Sequence, residues 1–374
     1  MEKRERRLVA SGLIGAVLMF WTECTLAAPE HFFTEPPSVK PVRISLNPDS
    51  QARLSDHPHE YVAGTLAVAE DPPSVVHLRL RGHGSFRPIT DKPNFAIQSK
   101  GLGRRKVLLS GSSQDPTYLR WKLASEMFLK VGLPAARIGF ARVELNGRDL
   151  GLYLSVEPTD KQFLKHRFGS SAGNLYEGSN NDVVDPLELD SGRGPGSADI
   201  LKALASACHE PDLDRRWRLL DASLDVRRFA SFAAMEVLVC HHDGYSLDRN
   251  NFRIYQDPTS GRFVFIPHGM DLIFDNPTAP LLGRWRGLVA HAFMETSEGR
   301  KLYREAVVRS VESVYAGAPW PERIDEWARL LRLEMGSGEA LRTWEAAVID
   351  LKRIVEQRHD FVLKAVGSVA TYPK

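Results

Sequence analysis

The chain has 374 residues, with 49 lysine and arginine against 47 aspartate and glutamate side chains, and a formal net charge of +2. This balance argues against nucleic acid or an anionic membrane surface as a partner. With 43% hydrophobic residues the chain can bury a sizeable core, and its length predicts two lobes or domains.

The amino-terminal segment, residues 1–27, has the pattern of a secretory signal peptide. Basic residues precede an apolar run from Leu8 to Trp21, and small residues near Ala27 offer a cleavage site. The run is short for a membrane span, so an uncleaved anchor is the alternative and the only membrane contact that we expect. The proline-rich residues 28–41 predict a linker, and the expected location is secreted, periplasmic, or the cell or spore surface.

Residues 42–158 predict a β-rich lobe. Polar and apolar residues alternate in 75–81, a glycine-rich turn follows, and the chain returns as a strand after Lys92. Closely spaced glycines let backbone N–H groups approach a phosphate, and a lysine on the next strand supplies positive charge. A plain hairpin turn is the alternative interpretation. The candidate phosphate-binding residues are Arg81, Gly82, Gly84, Ser85 and Lys92.

A helix is predicted from Asp115, as N-cap with Pro116 at the first helical position, to about Lys130. Glu126 on this helix could pair with Lys92, as an acidic residue of the mobile helix does in protein kinases. A solvated helix glutamate is the alternative. Two more strands are predicted on either side of an Asn-Gly turn, which is a strong hairpin signal.

Residues 159–370 predict a helical lobe. Helical spacing of apolar residues predicts helices near 199–220 and 225–240, and three amphipathic segments follow between 299 and 366.

Two features of this lobe have two interpretations each. The acidic, glycine-rich loop before the first helix contains Asp182, Asp185 and Asp190, which could attract a basic peptide or could be solvated loop acids. Cys208 and Cys240 could pair in an oxidising compartment, or could each be buried and unpaired.

The stretch from His241 to Phe274 is the most informative part of the chain. Segments 252–255 and 262–266 are rich in aromatic and β-branched residues and are separated by turn signals, which predicts a hairpin. Its folding places Asp243, Asn250 or Asn251, and Asp271 near one end of the same two strands. Phosphoryl transfer uses such a set: a carboxylate orients the attacking hydroxyl, and a carboxylate and an amide oxygen hold Mg²⁺. A polar loop that only makes turns is the alternative.

The order Asp-Gly-Tyr, Asn-Asn-Phe-Arg-Ile-Tyr, hairpin and Pro-x-x-Met-Asp-x-x-Phe resembles the CotH kinase family of atypical secreted protein kinases. The resemblance covers roughly residues 42–300 and is specific in 81–98, 115–157 and 241–274. It implies an α+β, protein-kinase-like, two-lobed fold. It also implies transfer of the ATP γ-phosphate, with Mg²⁺ or Mn²⁺, to Ser or Thr of secreted, envelope or spore-surface proteins.

The resemblance assigns roles to individual residues. Asp243 matches the family's catalytic aspartate, and Asn251 and Asp271 match its metal ligands. Arg120 fits the motif Asp-Pro-x-x-x-Arg and could bridge its helix to the site. Glu157, at the end of a predicted strand, would lie at the strap between the lobes where backbone groups could meet adenine; a carboxylate that caps the next helix is the alternative.

One departure keeps other functions open. Many family members carry an acid where this chain has Gly269, so Asp271 is left to bind metal as the only carboxylate. The main prediction is a monomeric, active protein kinase whose substrate is a protein, basic if the acidic loop attracts it. The alternatives are a pseudokinase that binds or scaffolds surface proteins, and a metal-dependent hydrolase using Asp243, His242 and His268.

Overall fold

The strands of the N-terminal region close into a barrel. The computed structural model describes residues 32–99, 106–192 and 197–370. Its barrel strands are β1 (Val39–Ser45), β2 (Val62–Val68), β3 (Ser74–Arg81), β4 (Asn94–Gln98), β5 (Lys106–Ser110), β6 (Ile138–Leu145) and β7 (Arg148–Val156). Their order around the barrel is β1-β2-β3-β4-β5-β7-β6, and β6 closes the barrel by pairing parallel with β1.

Side-chain alternation fills the barrel interior. In β3, the side chains of Val76, Leu78 and Leu80 are fully buried and alternate with more exposed neighbours, as a half-buried strand requires. The predicted turn between β6 and β7 is confirmed, because Asn146 and Gly147 both have positive φ angles, +49° and +79°. That conformation gives a two-residue hairpin turn whose twist matches the strands.

The segment before the barrel belongs to the fold. Phe32 is 3% exposed and packs in the barrel core, where a Cβ added to Gly139 would lie 2.0 Å from its carbonyl oxygen. Strand β1 begins at Val39, inside the predicted linker 28–41. The linker prediction is therefore wrong from Val39 onward, and Phe32 is already part of the barrel core. The predicted signal peptide, residues 1–27, and the first linker residues lie outside the described residues.

Two helices accompany the barrel, α1 (Pro48–Asp56) and α2 (Arg120–Lys130). The predicted start of α2 at Asp115 is wrong, because the helix begins at Arg120. The Asp115 carboxylate still accepts the Arg120 backbone N–H at 2.9 Å, so it satisfies a free donor of the helix from five residues away.

The C-terminal region is mainly helical and contains a 4-stranded antiparallel sheet in the order β11-β10-β8-β9. The strands are β8 (Leu175–Gly178), β9 (Glu188–Ser191), β10 (Phe252–Gln256) and β11 (Phe263–Pro267), and β10–β11 confirm the predicted hairpin. The helices are α3 (Lys161–Phe168), α4 (Ser197–Cys208), α5 (Leu213–Ser223), α6 (Val226–Leu238), α7 (Tyr245–Asp248), α8 (Leu288–Glu295), α9 (Ser297–Ser310), α10 (Trp320–Arg332) and α11 (Glu339–Ala370).

One large hydrophobic core joins the two regions. Helix α2 and the outer faces of β6 and β7 share it with most of the C-terminal helices, and Phe128 of α2 meets Phe232 of α6 at 6.4 Å between ring centroids. The structure is a mixed α+β fold, as predicted. None of the helices in the described ranges has the length and apolar character that crossing a membrane requires.

Candidate active site

Asp243 lies in the loop between α6 and α7, and two asparagines hold its carboxylate. Asn250 donates to Asp243 Oδ1 at 2.9 Å, and Asn251 donates to Oδ2 at 2.7 Å. Asn251 Nδ2 also lies 3.1 Å from the Asp243 carbonyl oxygen. This carboxylate thus connects the loop to the start of β10. The sequence left open whether Asn250 or Asn251 lies near Asp243, and in the structure both do.

Asp271 lies in a single 3₁₀ turn, Met270–Leu272, directly after β11. Burial, together with the negative charges of Asp115 and Asp243, raises the pKa of its carboxyl to about 6. A carboxylate disfavoured by burial and by other acids gains most from a cation beside it. The predicted hairpin therefore does bring Asp243, Asn251 and Asp271 to one end of β10 and β11.

Gly269 faces the Asn251 side chain. A Cβ added to Gly269 would lie 2.4 Å from Asn251 Oδ1, and its φ of +56° is in the left-handed region. The amide oxygen predicted to bind metal therefore points at the position where an acidic side chain would begin. The Asn251 side chain occupies the space that a side chain at residue 269 would need. The glycine at 269 and the close approach of the Asn251 amide therefore depend on each other.

Hard oxygen donors at this end suit Mg²⁺, which needs few protein ligands when phosphate and water complete its shell. Among the described residues, no group of three or more His, Cys, Asp or Glu side chains could hold a metal ion. That finding gives no support to the hydrolase alternative. His242 pairs with Asp275 at 2.9 Å, and His268 packs edge-on against Trp121.

Lys92 lies at one end of the barrel. Its Nζ donates to the Tyr118 hydroxyl at 2.5 Å and lies 5.1 Å from the centre of the Tyr153 ring. Burial lowers the pKa of Lys92 to about 8, an effect that the nearby carboxylates of Asp149 and Asp91 oppose. Among the described residues this half-buried ammonium has no carboxylate within ion-pair distance, and such a group is suited to an anionic ligand.

The glycine-rich turn after β3 is built as a fixed loop. Gly82 has a φ of +109°, and a Cβ there would meet Phe86 N at 3.0 Å. Asn94 donates to the Ser85 carbonyl at 3.2 Å, while the space around Gly84 is open within 4 Å of an added Cβ. Burial and the charge of Arg253 on β10 lower the pKa of Arg81 to about 10.

Residues 78–362 match the family model described as CotH kinase protein, which is more than half of the chain. The chain belongs to the CotH kinase family.

The curated relatives are distant. The inner spore coat protein H of Bacillus subtilis (strain 168) is 22% identical over 238 residues, covering 57% of this chain and 64% of that protein. Invasin CotH3 of Rhizopus delemar is 24% identical over 204 residues, covering 49% of this chain and 34% of the invasin. The chain thus spans less than two thirds of the length of these relatives.

Two solved structures are similar at a low level. The HipA–HipB–operator DNA complex of Shewanella oneidensis MR-1 matches with a TM-score of 0.35 and 11% identity, over 89% of this chain and 74% of that one. The Helicobacter pylori proinflammatory kinase CtkA matches with a TM-score of 0.34 and 7% identity, over 76% and 95%. At these scores the likeness supports no further argument.

Arg120, which fits a CotH family motif, does bridge α2 to the site. Its guanidinium donates to the carbonyl oxygen of Ile273, just beyond the Asp271 turn, and lies 3.8 Å from the carboxylate of Asp115. Asp115 is fully buried and also accepts the Thr117 hydroxyl at 2.6 Å. Arg120 therefore connects α2 to the turn that carries Asp271; contact with nucleotide stays a prediction.

The predicted Glu126–Lys92 pair is wrong in this structure. Glu126 lies 3.1 Å from Lys122 on its own helix and 3.3 Å from Arg323 on α10. Two cations already pair with this carboxylate, and Lys92 donates its hydrogen bond to the Tyr118 hydroxyl instead.

Glu157 also has a different partner. Its carboxylate accepts from the Arg137 backbone N–H at 2.9 Å and from the Arg137 guanidinium at 2.6 Å. The alternative that Glu157 caps the next helix is wrong, because Asp160 is the N-cap of α3 and accepts the Gln162 N–H at 2.9 Å. The Glu157 side chain is thus engaged within the protein.

The loop acids that suggested a basic substrate are engaged as well. Asp182 is 3% exposed and accepts from the Tyr245 hydroxyl at 2.9 Å, so both of its sequence interpretations are wrong. Asp185 accepts the Asp182 N–H at 2.7 Å, and Asp190 pairs with Arg253 at 2.8 Å. Cys208 and Cys240 are buried and free, which confirms the unpaired interpretation.

Sequence reasoning missed Glu236, which holds the Asp243 loop from inside the core. Both of its carboxylate oxygens accept backbone N–H groups at 2.8 Å, from Tyr245 and from Ser246 at the start of α7. A Cβ added to Gly244 would lie 2.3 Å from Glu236 Oε1, which explains the glycine after Asp243. The signal was present, since Glu236 falls on the apolar face of α6 at helical spacing from Phe232.

Proposed function

We propose that this chain is a CotH-family protein kinase that transfers the ATP γ-phosphate to Ser or Thr of a protein outside the cytoplasm, using Mg²⁺ or Mn²⁺. In this proposal the fold is kinase-like, the barrel forming the nucleotide lobe and the helical region the catalytic lobe. The observation that carries the proposal is the convergence of Asp243, Asn251 and Asp271 at one end of the β10–β11 hairpin.

Each residue has a role that its surroundings support. Asp243, held by two amide N–H groups, would orient the acceptor hydroxyl and receive its proton. Asn251 uses its amide nitrogen on Asp243, so its oxygen is left for a cation shared with Asp271. A bound Mg²⁺ would neutralise charge on the phosphate oxygens. Lys92 and the N–H groups of the turn after β3 would hold the phosphates.

The test is phosphate incorporation by the purified chain from labelled ATP, with Mg²⁺ or Mn²⁺. Asp243→Asn should abolish incorporation while ATP binding, measured by calorimetry, persists, because an amide of nearly the same size cannot receive the proton. Asp248→Asn is the matched control, since Asp248 lies in the same segment and pairs with Arg286 on the surface. Equal incorporation by the Asp243 variant and the wild type would refute the proposal.

Gly269 favours a second candidate, a pseudokinase that binds ATP and acts as a surface scaffold. One carboxylate, Asp271, is a weaker metal site than two. ATP binding with no incorporation under any metal condition would support this alternative. Both candidates fit a location at a cell surface or spore coat, which the names of the Bacillus and Rhizopus relatives suggest.

A further inference from the structure

A groove lies beside the candidate catalytic loop, between the chain that follows the Asp271 turn and helices α8 and α9. Tyr303 is fully buried at its floor and meets the Trp285 ring edge-on, with 5.1 Å between centroids. Leu282 and Met294 add apolar walls, and the groove measures about 250 Å³. Pockets for small-molecule ligands typically hold about 300–1,000 Å³, so this groove fits one or two side chains of a protein.

The groove is fixed to the loop that carries Asp243. A Cβ added to Gly283 would lie 2.8 Å from the Leu247 side chain, and the Arg286 N–H donates to the Ser246 carbonyl at 3.0 Å. Leu247 is the fourth residue after Asp243, a distance of at most about 14 Å of chain. About four extended residues cover that length and about two more reach from Leu247 into the groove, so roughly six residues of an extended peptide would span from the groove to the Asp243 carboxylate.

The rim of the groove is basic. Its one acid, Glu295, is paired with Arg216 and lies 3.5 Å from His291. Arg304 lines the rim and Arg284 lies between two lining residues, and in the described part of the chain neither has a carboxylate within ion-pair distance. This charge favours acidic side chains on a partner.

We propose that the groove docks the acceptor protein by a large apolar side chain flanked by acidic residues, about six residues from the Ser or Thr that reaches Asp243. The inference rests on the proposed kinase function and adds the class of substrate. It replaces the basic substrate suggested by the sequence, because Asp182, Asp185 and Asp190, which suggested it, each hold a partner within the protein.

Binding tests the groove without any catalysis. The probe is a fluorescein-labelled peptide with a leucine between glutamates and a serine about six residues away, followed by anisotropy. Arg304→Glu should weaken binding roughly five- to thirty-fold, because it replaces an attraction with a repulsion. Lys301→Glu is the control, since Lys301 is exposed on the same helix outside the groove lining and carries the same charge.

Two comparisons complete the binding test. A peptide with lysines in place of the glutamates, and one with serine in place of the leucine, should each bind more weakly than the probe. Met294→Ala should weaken binding of the leucine peptide while its thermal unfolding stays close to wild type. Equal binding of the acidic and basic peptides, or equal weakening by Arg304→Glu and Lys301→Glu, would overturn the proposal.

Kinetics separate the docking inference from the proposed function. With a transferable peptide, Arg304→Glu should raise the KM for peptide and leave kcat and the KM for ATP unchanged. Groove-specific binding without any phosphate transfer would refute the kinase function and keep the docking site. Transfer with an unchanged peptide KM in the Arg304 variant would refute the docking site and keep the kinase function.

Discussion

Restoring the missing acid, Gly269→Asp, should weaken the site. Gly269 has φ +56° and ψ +45°, a left-handed conformation in which a residue with a side chain costs about 1–2 kcal/mol. The new Cβ would lie 2.4 Å from Asn251 Oδ1, so the Asn251 side chain must leave. Its hydrogen bond to the Asp243 carboxylate at 2.7 Å is then lost, at a cost of about 1.5–3 kcal/mol.

The assay combines urea unfolding with phosphate transfer measured against Mg²⁺ concentration. Gly269→Asp should lower the free energy of unfolding by about 3–4 kcal/mol and transfer by at least about tenfold, which is the effect of 1.4 kcal/mol on a barrier. Gly269→Ala brings the same Cβ without a carboxylate, and should behave alike.

Gly261 supplies the matched control for backbone strain. It has a φ of +73° in the β10–β11 turn, and nothing lies within 4 Å of an added Cβ. Gly261→Ala should therefore show the conformational cost alone, about 1–2 kcal/mol. The opposite result would be that Gly269→Asp supports transfer at lower Mg²⁺ concentration than wild type while Gly269→Ala does not. The new carboxylate would then be binding the metal, and the steric argument would be refuted.

Three further outcomes follow from the contacts of the site. Burial raises the pKa of Glu236 to about 8, above its ordinary 4.5, so folding stability falls as the pH rises through that window. Urea titrations should show this fall, up to about 5 kcal/mol, in wild type but not in Glu236→Gln. The lowered pKa of Lys92, about 8, means that its charge is lost above that pH. The Kd for ATP should then rise with pH by up to about tenfold per unit, and less in Lys92→Arg; a flat wild-type profile would exclude Lys92 from phosphate binding. Arg120→Ala should lower the free energy of unfolding by about 3 kcal/mol and weaken Mg²⁺-dependent ATP binding, because it removes the cation beside the buried Asp115 carboxylate. The control Lys130→Ala removes the same charge from an exposed position on α2; equal loss in both variants would refute the bridging role.

The strands and hairpins could be predicted because their signals are local. Alternation predicts β3, and Asn-Gly and Asp-Pro turns predict the β6–β7 and β10–β11 hairpins. The barrel closure could not be predicted, because Val39 of β1 pairs in parallel with Phe140 of β6, far along the chain. Nothing local to either strand specifies that partner.

For the candidate site, too, local contacts could be predicted from the sequence and distant ones could not. Asp243, Asn251 and Asp271 could be placed together because one short hairpin connects them. The partners of Glu126 and Glu157 could not be predicted, because each carboxylate was assigned by motif position alone. Arg323 lies 197 residues after Glu126, and Arg137 meets Glu157 only where β6 and β7 pair. A carboxylate takes the nearest available cation in three dimensions, whatever its neighbours in sequence.

The buried position of Glu236 lowers the stability of the fold but holds the loop that carries Asp243. A carboxyl group with no exposed surface is unfavourable, and the N–H groups of Tyr245 and Ser246 offset part of its desolvation. An apolar residue at this point would fill the core as well and would leave those N–H groups without partners. Because α7 is a four-residue helix with no side-chain cap of its own, the turn after Asp243 would then lose its anchor. The buried acid is therefore best explained by the loop that it holds, and Glu236→Ala should reduce phosphate transfer by more than its loss of stability alone would.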